Sequence, residues 1–158
     1  MKVPIRFTVN GEAHELAVDS HRTLAEILHD ALELRGVHRG CDSGDCGTCT
    51  VLLDGRPVPS CLVLAPDADG TEILTVEGLS SSPFSGPGKL HPIQESFVAR
   101  GAVQCGYCTP GIILAAHALL VANPSPTEAE VREALCGNLC RCTGYTKIVE
   151  AVLAVVRE

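Results

Sequence analysis

Nine cysteines stand in this 158-residue chain, and eight of them fall into two spaced sets: Cys41, Cys46, Cys49 and Cys61, then Cys105, Cys108, Cys140 and Cys142. Thiols can pair as disulfides, act singly as nucleophiles, or bind soft metals as thiolates. An odd count sits badly with a pure disulfide framework. The opening residues Met1 to Thr8 contain no apolar leader core, and polar residues interrupt every hydrophobic stretch before it reaches membrane-spanning length. The expectation is a cytoplasmic, reducing location with no membrane insertion, which favours metal ligation over disulfides.

Cys41, Cys46 and Cys49 are spaced C-x4-C-x2-C, and Cys61 arrives after an Asp54-Gly55 turn. This is the plant-type [2Fe-2S] spacing. Two irons bridged by two sulfides leave four terminal positions, and one loop plus one returning strand can fill them. Gly40, Gly44 and Gly47 suit a loop wrapped round a cluster, which needs positive φ and unobstructed N–H groups aimed at sulfur. Four cysteines also suit tetrahedral zinc, but zinc sites usually pair two C-x2-C knuckles, whereas three ligands here crowd one glycine-rich loop. His38 lies outside any Cys-x-His pattern, so it offers no Rieske-type ligation and reads as an ordinary surface histidine.

The second set combines Cys105-Gly106-Tyr107-Cys108 with Cys140-Arg141-Cys142 across two predicted helices. C-x-x-C alone is weak, because thiol redox pairs share the spacing. Joined to C-x-C on another helix connection, it brings four thiolates together at helix ends, where unpaired N–H groups can donate to sulfur. A second [2Fe-2S] cluster is the economical expectation. Cys136, one helical turn before Cys140, is expected to be a small buried cysteine and not a ligand.

The elements that must position these thiols are legible in outline. Ile5, Phe7 and Val9 alternate with polar residues, Asn10-Gly11 supplies a tight turn, and His14 to Val18 returns, so a hairpin opens the chain. Thr23 and Glu26 form a capping-box pattern, with Leu24, Ile27, Leu28, Ala31 and Leu32 on one helical face before Gly36. Thr50 to Leu53 and Arg56 to Val58 form a second hairpin, and Leu62 to Ala65 and Ile73 to Val76 are expected as further short strands. A stretch rich in Ser, Pro and Gly, Ser80 to Gly88, is the candidate linker. Its end, Gly86-Pro87-Gly88-Lys89-Leu90, lacks the first glycine spacing and the Ser/Thr of a phosphate loop. Four helices follow: Pro92 to about Arg100, Pro110 to Ala122, one capped by Thr127 and Glu130 to about Leu135, and one from Tyr145 or Thr146.

Composition excludes several functions. The formal net charge of -7 and the absence of a Lys/Arg stripe argue against nucleic acid as a partner. Aromatic residues are 3% of the chain, so neither half has a large aromatic core, and metal ligation is expected to supply part of the folding energy. No dinucleotide loop, nucleophile elbow or H-E-x-x-H motif is present, so catalysis is expected to belong to partners. His117, inside an apolar helical run, is expected to face a polar partner and not a metal.

Three stretches, Cys41 to Cys49, Gln104 to Gly111 and Gly137 to Tyr145, together resemble the small iron–sulfur subunit of molybdenum hydroxylases. This is the xanthine oxidase group, with aerobic carbon monoxide dehydrogenases and bacterial N-heterocycle and aldehyde dehydrogenases. The resemblance covers nearly the whole chain and departs from the pattern at Cys136 and in the linker. It implies an α+β architecture: an N-terminal β-grasp plant-type ferredoxin domain (1–79), a linker (80–89) and a C-terminal four-helix [2Fe-2S] domain (90–158). It also implies a large partner subunit holding molybdopterin, in bacteria usually as the cytosine dinucleotide, and a medium subunit holding FAD, in a heterotrimer or its dimer. Electrons would pass singly between them, with the 105/108/140/142 cluster nearest molybdenum and the 41/46/49/61 cluster nearer flavin. By the same resemblance Gln104 would hydrogen-bond the pterin and Cys142 would approach it through its cluster-bound sulfur. Two other readings stay open from the residues alone: a free-standing two-cluster shuttle, and a zinc module that bridges proteins.

Overall fold

The computed structural model describes residues 1–80 and 88–157. The candidate linker therefore falls largely outside the described residues, as do Gly86 and Pro87 of the rejected phosphate-loop stretch. The first hairpin forms as its alternation requires. Strand β1 (Lys2–Val9) pairs antiparallel with β2 (Glu12–Asp19) from Lys2 opposite Asp19 to Val9 opposite Glu12. Its turn takes positive φ at both Asn10 (53°) and Gly11 (84°), the conformation that matches strand twist.

Strands β3 (Thr50–Leu53) and β4 (Arg56–Pro59) form the second hairpin around Asp54 and Gly55. Strand β5 (Glu72–Leu74) completes a five-stranded mixed sheet in the order β2-β1-β5-β3-β4, running parallel to β1 and antiparallel to β3. Inward residues Ile5, Phe7, Val9, Val51 and Ile73 pack on Leu24, Ile27 and Leu28 of the helix that crosses the sheet. A mixed sheet grasping one helix is the β-grasp arrangement, and with the helical half it gives the expected α+β class.

Three local expectations need correction. The first helix is shorter than its periodicity suggests. Helix α1 (Leu24–Glu26), capped reciprocally by Thr23 and Glu26, widens into a π-helical turn over Ile27–Ala31, with the Leu32 N–H bonded to the Ile27 carbonyl at 3.1 Å. The wider turn leaves Ala31 exposed and lets the chain reverse at Glu33 (φ 55°) toward the cysteine loop. Leu62 to Ala65 forms no strand. Two 3-10 turns, Ser60–Leu62 and Ala65–Ala68, stand there, joined to Thr23 only by a single bridge at Leu64. Pro66 carries no N–H for a ladder, and Leu62 points outward at 61% exposure. The last strand stops at Leu74, because the Asn10 side chain takes the Thr75 N–H at 2.9 Å and the chain turns into an unpredicted helix, α2 (Val76–Leu79).

The helical half follows its capping signals. Helix α3 (Pro92–Ala99) begins with proline and is capped by His91, whose Nδ1 accepts the Ile93 N–H at 3.3 Å. Helix α4 (Thr109–Ala122) ends at Asn123, before Pro124. Helix α5 (Glu128–Ala134) carries the Thr127–Glu130 capping box, and α6 (Thr146–Arg157) follows a left-handed pair, Gly144 (φ 63°) and Tyr145 (φ 70°). Ile93, Phe97, Ile112, Leu114, Val131, Ile148 and Val152 form the second core, and Ser96 ties α3 to α6 by donating to the Ala151 carbonyl at 2.7 Å. Leu52 of β3 and Leu79 of α2 also belong to this core, so α4 lies against the sheet and the two lobes share one seam.

Candidate metal centres

The first four thiols lie where the long loop after Leu32 meets the end of β4. Cys49 immediately precedes β3 and Cys61 sits in the 3-10 turn after β4, both buried, while Cys46 is half-buried and Cys41 exposed. Ser60 fixes this junction, donating from Oγ to the Cys49 carbonyl at 2.6 Å. Asp42, Gly44 and Gly47 have positive φ, and this lets the loop curl inward. Gly40 serves differently: a Cβ there would come within 2.9 Å of both Cys46 Sγ and Thr48 Oγ1, so glycine is needed for space and not for handedness.

Donors converge on these sulfurs. The N–H groups of Ser43 and Cys46 each reach Cys41 Sγ at 3.4 Å, and Thr48 Oγ1 lies 3.2 Å from Cys46 Sγ. Hydrogen bonds from Ser43 and then Cys46 pull the Cys41 thiol down to about 6. Cys61 goes the other way, pushed up to about 12 by burial, by its hydrogen bond with Cys49 and by the negative charge of Cys49 and Cys41. Within one set, hydrogen bonds therefore favour the thiolate of the exposed sulfur, and burial disfavours that of the inner one.

The second four thiols sit on two connections at one end of the helices. Cys108 caps α4 and is buried, Cys140 is half-buried, and Cys105 and Cys142 are exposed. The sulfurs of Cys105 and Cys142 lie 3.6 Å apart, and Cys108 is in hydrogen-bond contact with Cys140. The set is thus an inner pair and an outer pair. Thr143 donates to Cys140 Sγ from its N–H at 3.4 Å and from its hydroxyl at 3.1 Å. Burial, then Cys140, pushes Cys108 up to about 12. For Cys140 burial acts upward, yet hydrogen bonds from Thr143 and the Cys142 backbone outweigh it and the thiol lies below its usual value. The hydrogen bond with Cys105 raises Cys142. The thiol contacts are pairwise, Cys49 with Cys61, Cys105 with Cys142 and Cys108 with Cys140, and a binuclear cluster takes two thiolates on each iron, so the donor set fits that group.

Other predicted residues fall as follows. Gln104 is exposed, beside exposed Cys105. Cys136 is not buried as expected but exposed, lining a shallow cavity of about 300 Å³ with Arg132, Leu135 and Tyr145, because α5 ends at Ala134 and the chain has already turned outward. His38 is no ordinary surface histidine: its Nδ1 lies 2.7 Å from the Tyr107 carbonyl oxygen and its ring stacks on Tyr107. His117 meets His91 edge-on at 5.0 Å between ring centroids. Sequence reasoning missed Asn138 and Tyr145 as supports. The Tyr145 hydroxyl accepts the Cys140 N–H at 2.7 Å and donates to the Asn138 carbonyl at 3.0 Å. Both lie inside the stretch that carries the resemblance, which was the available signal.

Two family models match in tandem: the 2Fe-2S iron-sulfur cluster binding domain over residues 7–75 and the [2Fe-2S] binding domain over residues 75–153. The chain is 53% identical to the small subunit of nicotine 6-hydroxylase from Paenarthrobacter nicotinovorans over 96% of its own length and 88% of that protein. It is 46% identical to the small FeS subunit of nicotinate dehydrogenase from Eubacterium barkeri, covering 99% and 97%. A chain of quinoline 2-oxidoreductase from Pseudomonas putida 86 superposes with a TM-score of 0.92 at 44% identity, covering 99% and 94%. Fold, thiol sets and relatives define a two-cluster [2Fe-2S] electron-transfer protein. The chain belongs to the small iron–sulfur subunits of molybdenum hydroxylases.

Proposed function

We propose that Cys41, Cys46, Cys49 and Cys61 hold one [2Fe-2S] cluster, that Cys105, Cys108, Cys140 and Cys142 hold the other, and that the chain carries electrons between a molybdopterin subunit and an FAD subunit. The observation that carries this reading is the pairing of thiols from two distant connections, with Cys105 and Cys142 sulfurs 3.6 Å apart. When bound, each cluster supplies a one-electron redox station. The chain's own residues supply the thiolates, the N–H donors of Ser43, Cys46 and Thr143 with the Thr143 hydroxyl, and the burial of Cys49, Cys61 and Cys108. Hydrogen bonds to sulfur and exclusion of water are the levers that set a cluster's potential.

The domain division carries over as 1–79, a linker at 80–89 and 90–158. The exposed edge at Cys105 and Cys142, with Gln104 beside it, is the side that faces the pterin, with Gln104 offering a side-chain hydrogen bond. Cys41, the exposed thiol of the other set, faces the flavin side. The pterin takes the cytosine dinucleotide form, the three subunits form a heterotrimer or its dimer, and the complex works in the cytoplasm. No helix among the described residues is long and apolar enough to cross a membrane.

The deciding experiment is to purify the chain with whatever binds it and assay iron, molybdenum, flavin and zinc together. Iron, molybdenum and flavin in one complex is the expected result. Iron without the other two would mean a free shuttle, and zinc in place of iron would mean a bridging module.

A further inference from the structure

The hydroxyls beside the two thiol sets spend their protons differently. In the first loop the N–H groups of Ser43 and Cys46 donate to Cys41 Sγ, each at 3.4 Å. Ser43 and Thr48 also place hydroxyls there, but both give their protons to oxygen: Ser43, though close to Cys41, to the Asp45 carboxylate, and Thr48 to the His38 carbonyl at 3.2 Å. A charged or carbonyl oxygen is the stronger acceptor, so sulfur is left to the backbone. In the helical lobe a hydroxyl proton goes to sulfur. Thr143 Oγ1 donates to Cys140 Sγ at 3.1 Å, beside the Thr143 N–H at 3.4 Å. The same Oγ1 accepts the Tyr145 N–H at 3.2 Å, which turns its own proton toward Cys140. Tyr145 closes this turn a second time, since its hydroxyl accepts the Cys140 N–H at 2.7 Å and donates to the Asn138 carbonyl at 3.0 Å. Thr143 and Cys140 are both half-buried, so water competes only in part for the contact.

Resting on the ligand assignment above, we propose that the Thr143 hydroxyl sets the reduction potential of the helical-lobe cluster, holding it above the value that the backbone of the loop alone would give, and that the Tyr145 N–H is the group that aims it. Reduction adds one negative charge, part of which rests on the thiolate sulfurs. A donor to sulfur therefore stabilises the reduced state more than the oxidised one and raises the potential. One electron enters from the reductant and the hydroxyl proton stays on Thr143, so no bond is made or broken. The distinction between donor types matters for how the chain is tuned. Backbone N–H donors come with the loop conformation that wraps the thiols and cannot be changed without changing the loop. The hydroxyl depends only on the side chain at position 143. Thr143 is thus the place where the poise of one redox station is adjusted against the other while both loops keep their shape.

The test is a mediated dithionite titration of the full chain carrying both clusters, read by electron paramagnetic resonance, with the helical-lobe centre identified as the signal lost or weakened in Cys142→Ser. Thr143→Val keeps the shape of the side chain and removes the hydroxyl. Its helical-lobe midpoint falls by the equivalent of about a tenfold drop in the reduced-to-oxidised ratio, which for one electron is about 59 mV. The midpoint of the other centre does not move. Thr143→Ser keeps the hydroxyl and restores the wild-type midpoint. In deuterated water the reduced helical-lobe centre loses one exchangeable deuteron coupling in Thr143→Val and keeps it in Thr143→Ser, a difference that a role in shaping the turn would not produce. Thr143→Ala serves if Thr143→Val does not hold the cluster. An unchanged midpoint in the variant without the hydroxyl, an equal fall in Thr143→Ser, or an equal fall at both centres overturns the proposal. A wild-type chain that holds no iron in the helical lobe, or holds zinc there, overturns the ligand assignment instead.

Discussion

The imidazole of His38 lies flat on the phenol ring of Tyr107, centroids 4.4 Å apart and planes 12° from parallel. The same pair is tied once more, by His38 Nδ1 at 2.7 Å from the Tyr107 carbonyl oxygen, and the Tyr107 hydroxyl donates to the carbonyl of the neighbouring Arg39. Tyr107 stands between Cys105 and Cys108, and His38 stands just before Cys41, so one stack joins the loops of both thiol sets.

That joint predicts a measurable coupling. His38→Ala loses the stack and one hydrogen bond, and should lower unfolding stability by about 1 to 2 kcal/mol; Tyr107→Phe, which keeps the stack, should cost about 0.5 to 1 kcal/mol. Pairing His38→Ala with Tyr107→Leu, which also loses the stack, should lose less than the sum of the two single effects in urea unfolding, because both singles remove the same stack. Strict additivity would mean the stack does not join the lobes.

Gly47 predicts a sharper effect. It holds φ at 73°, and an added Cβ would strike the Gly137 carbonyl oxygen, which is backbone and cannot swing aside. Gly47→Ala should destabilise by roughly 2 to 4 kcal/mol, combining left-handed strain with overpacking at the seam. Gly55→Ala, also at positive φ (80°) but with nothing within 4 Å of its Cβ, should show only the strain part in thermal melts.

The contrast between these glycines shows what the sequence made legible. Asn10-Gly11 and Asp54-Gly55 announce hairpins because local backbone chemistry decides them. Thr23 with Glu26, and Thr127 with Glu130, announce helix starts for the same reason, and the cysteine spacings announce their chemistry. What stayed hidden depends on contacts between distant segments. Gly111 looks like a helix glycine and is in fact the floor against which Gly47 packs. The Leu62 to Ala65 stretch has strand composition, yet its leucines face outward beside the loop, and the turn that presents Cys61 overrides propensity. Cys136 was expected inside because small thiols usually are, but its position past the end of α5 turns it out.

His91 and His117 predict acid sensitivity. Burial lowers the pKa of both below 6.5, and for His117 the proximity of His91 adds to it. A histidine held neutral in the fold takes up its proton sooner in the unfolded chain. Its stabilising contribution is therefore complete above pH 6.5 and is lost as pH falls from there through the lowered folded value. Protonation would also remove the His91 Nδ1 lone pair that caps α3. Glu72, the carboxylate lining the same cavity of about 250 Å³ as His117, is exposed and well screened. Urea unfolding of His91→Ser/His117→Leu should show a flatter decline between pH 7 and lower pH than the wild type, serine retaining the cap; parallel curves would assign the acid sensitivity elsewhere.

Gln104 predicts an effect confined to the assembled complex. It is exposed beside Cys105, so Gln104→Ala should leave the isolated chain's melting point and iron content unchanged. Within the complex, molybdenum cofactor occupancy or substrate reduction of the clusters should fall. If both stay at wild-type levels, Gln104 has no contact with the pterin.

Cys136 and Cys142 form the most direct comparison, since both are exposed thiols flanking Cys140. Cys142 lies 3.6 Å, sulfur to sulfur, from Cys105, whereas Cys136 lines a separate cavity with Arg132, Leu135 and Tyr145. Serine is nearly isosteric with cysteine but a poor ligand for iron, so the substitution removes the thiolate and little else. Cys136→Ser should retain the iron of both clusters, and Cys142→Ser should lose or weaken the helical-lobe cluster while the other set keeps its own. Iron analysis with visible absorption and electron paramagnetic resonance separates the cases. Loss of a cluster from Cys136→Ser, with Cys142→Ser intact, would mean that the fourth ligand of the helical lobe is Cys136.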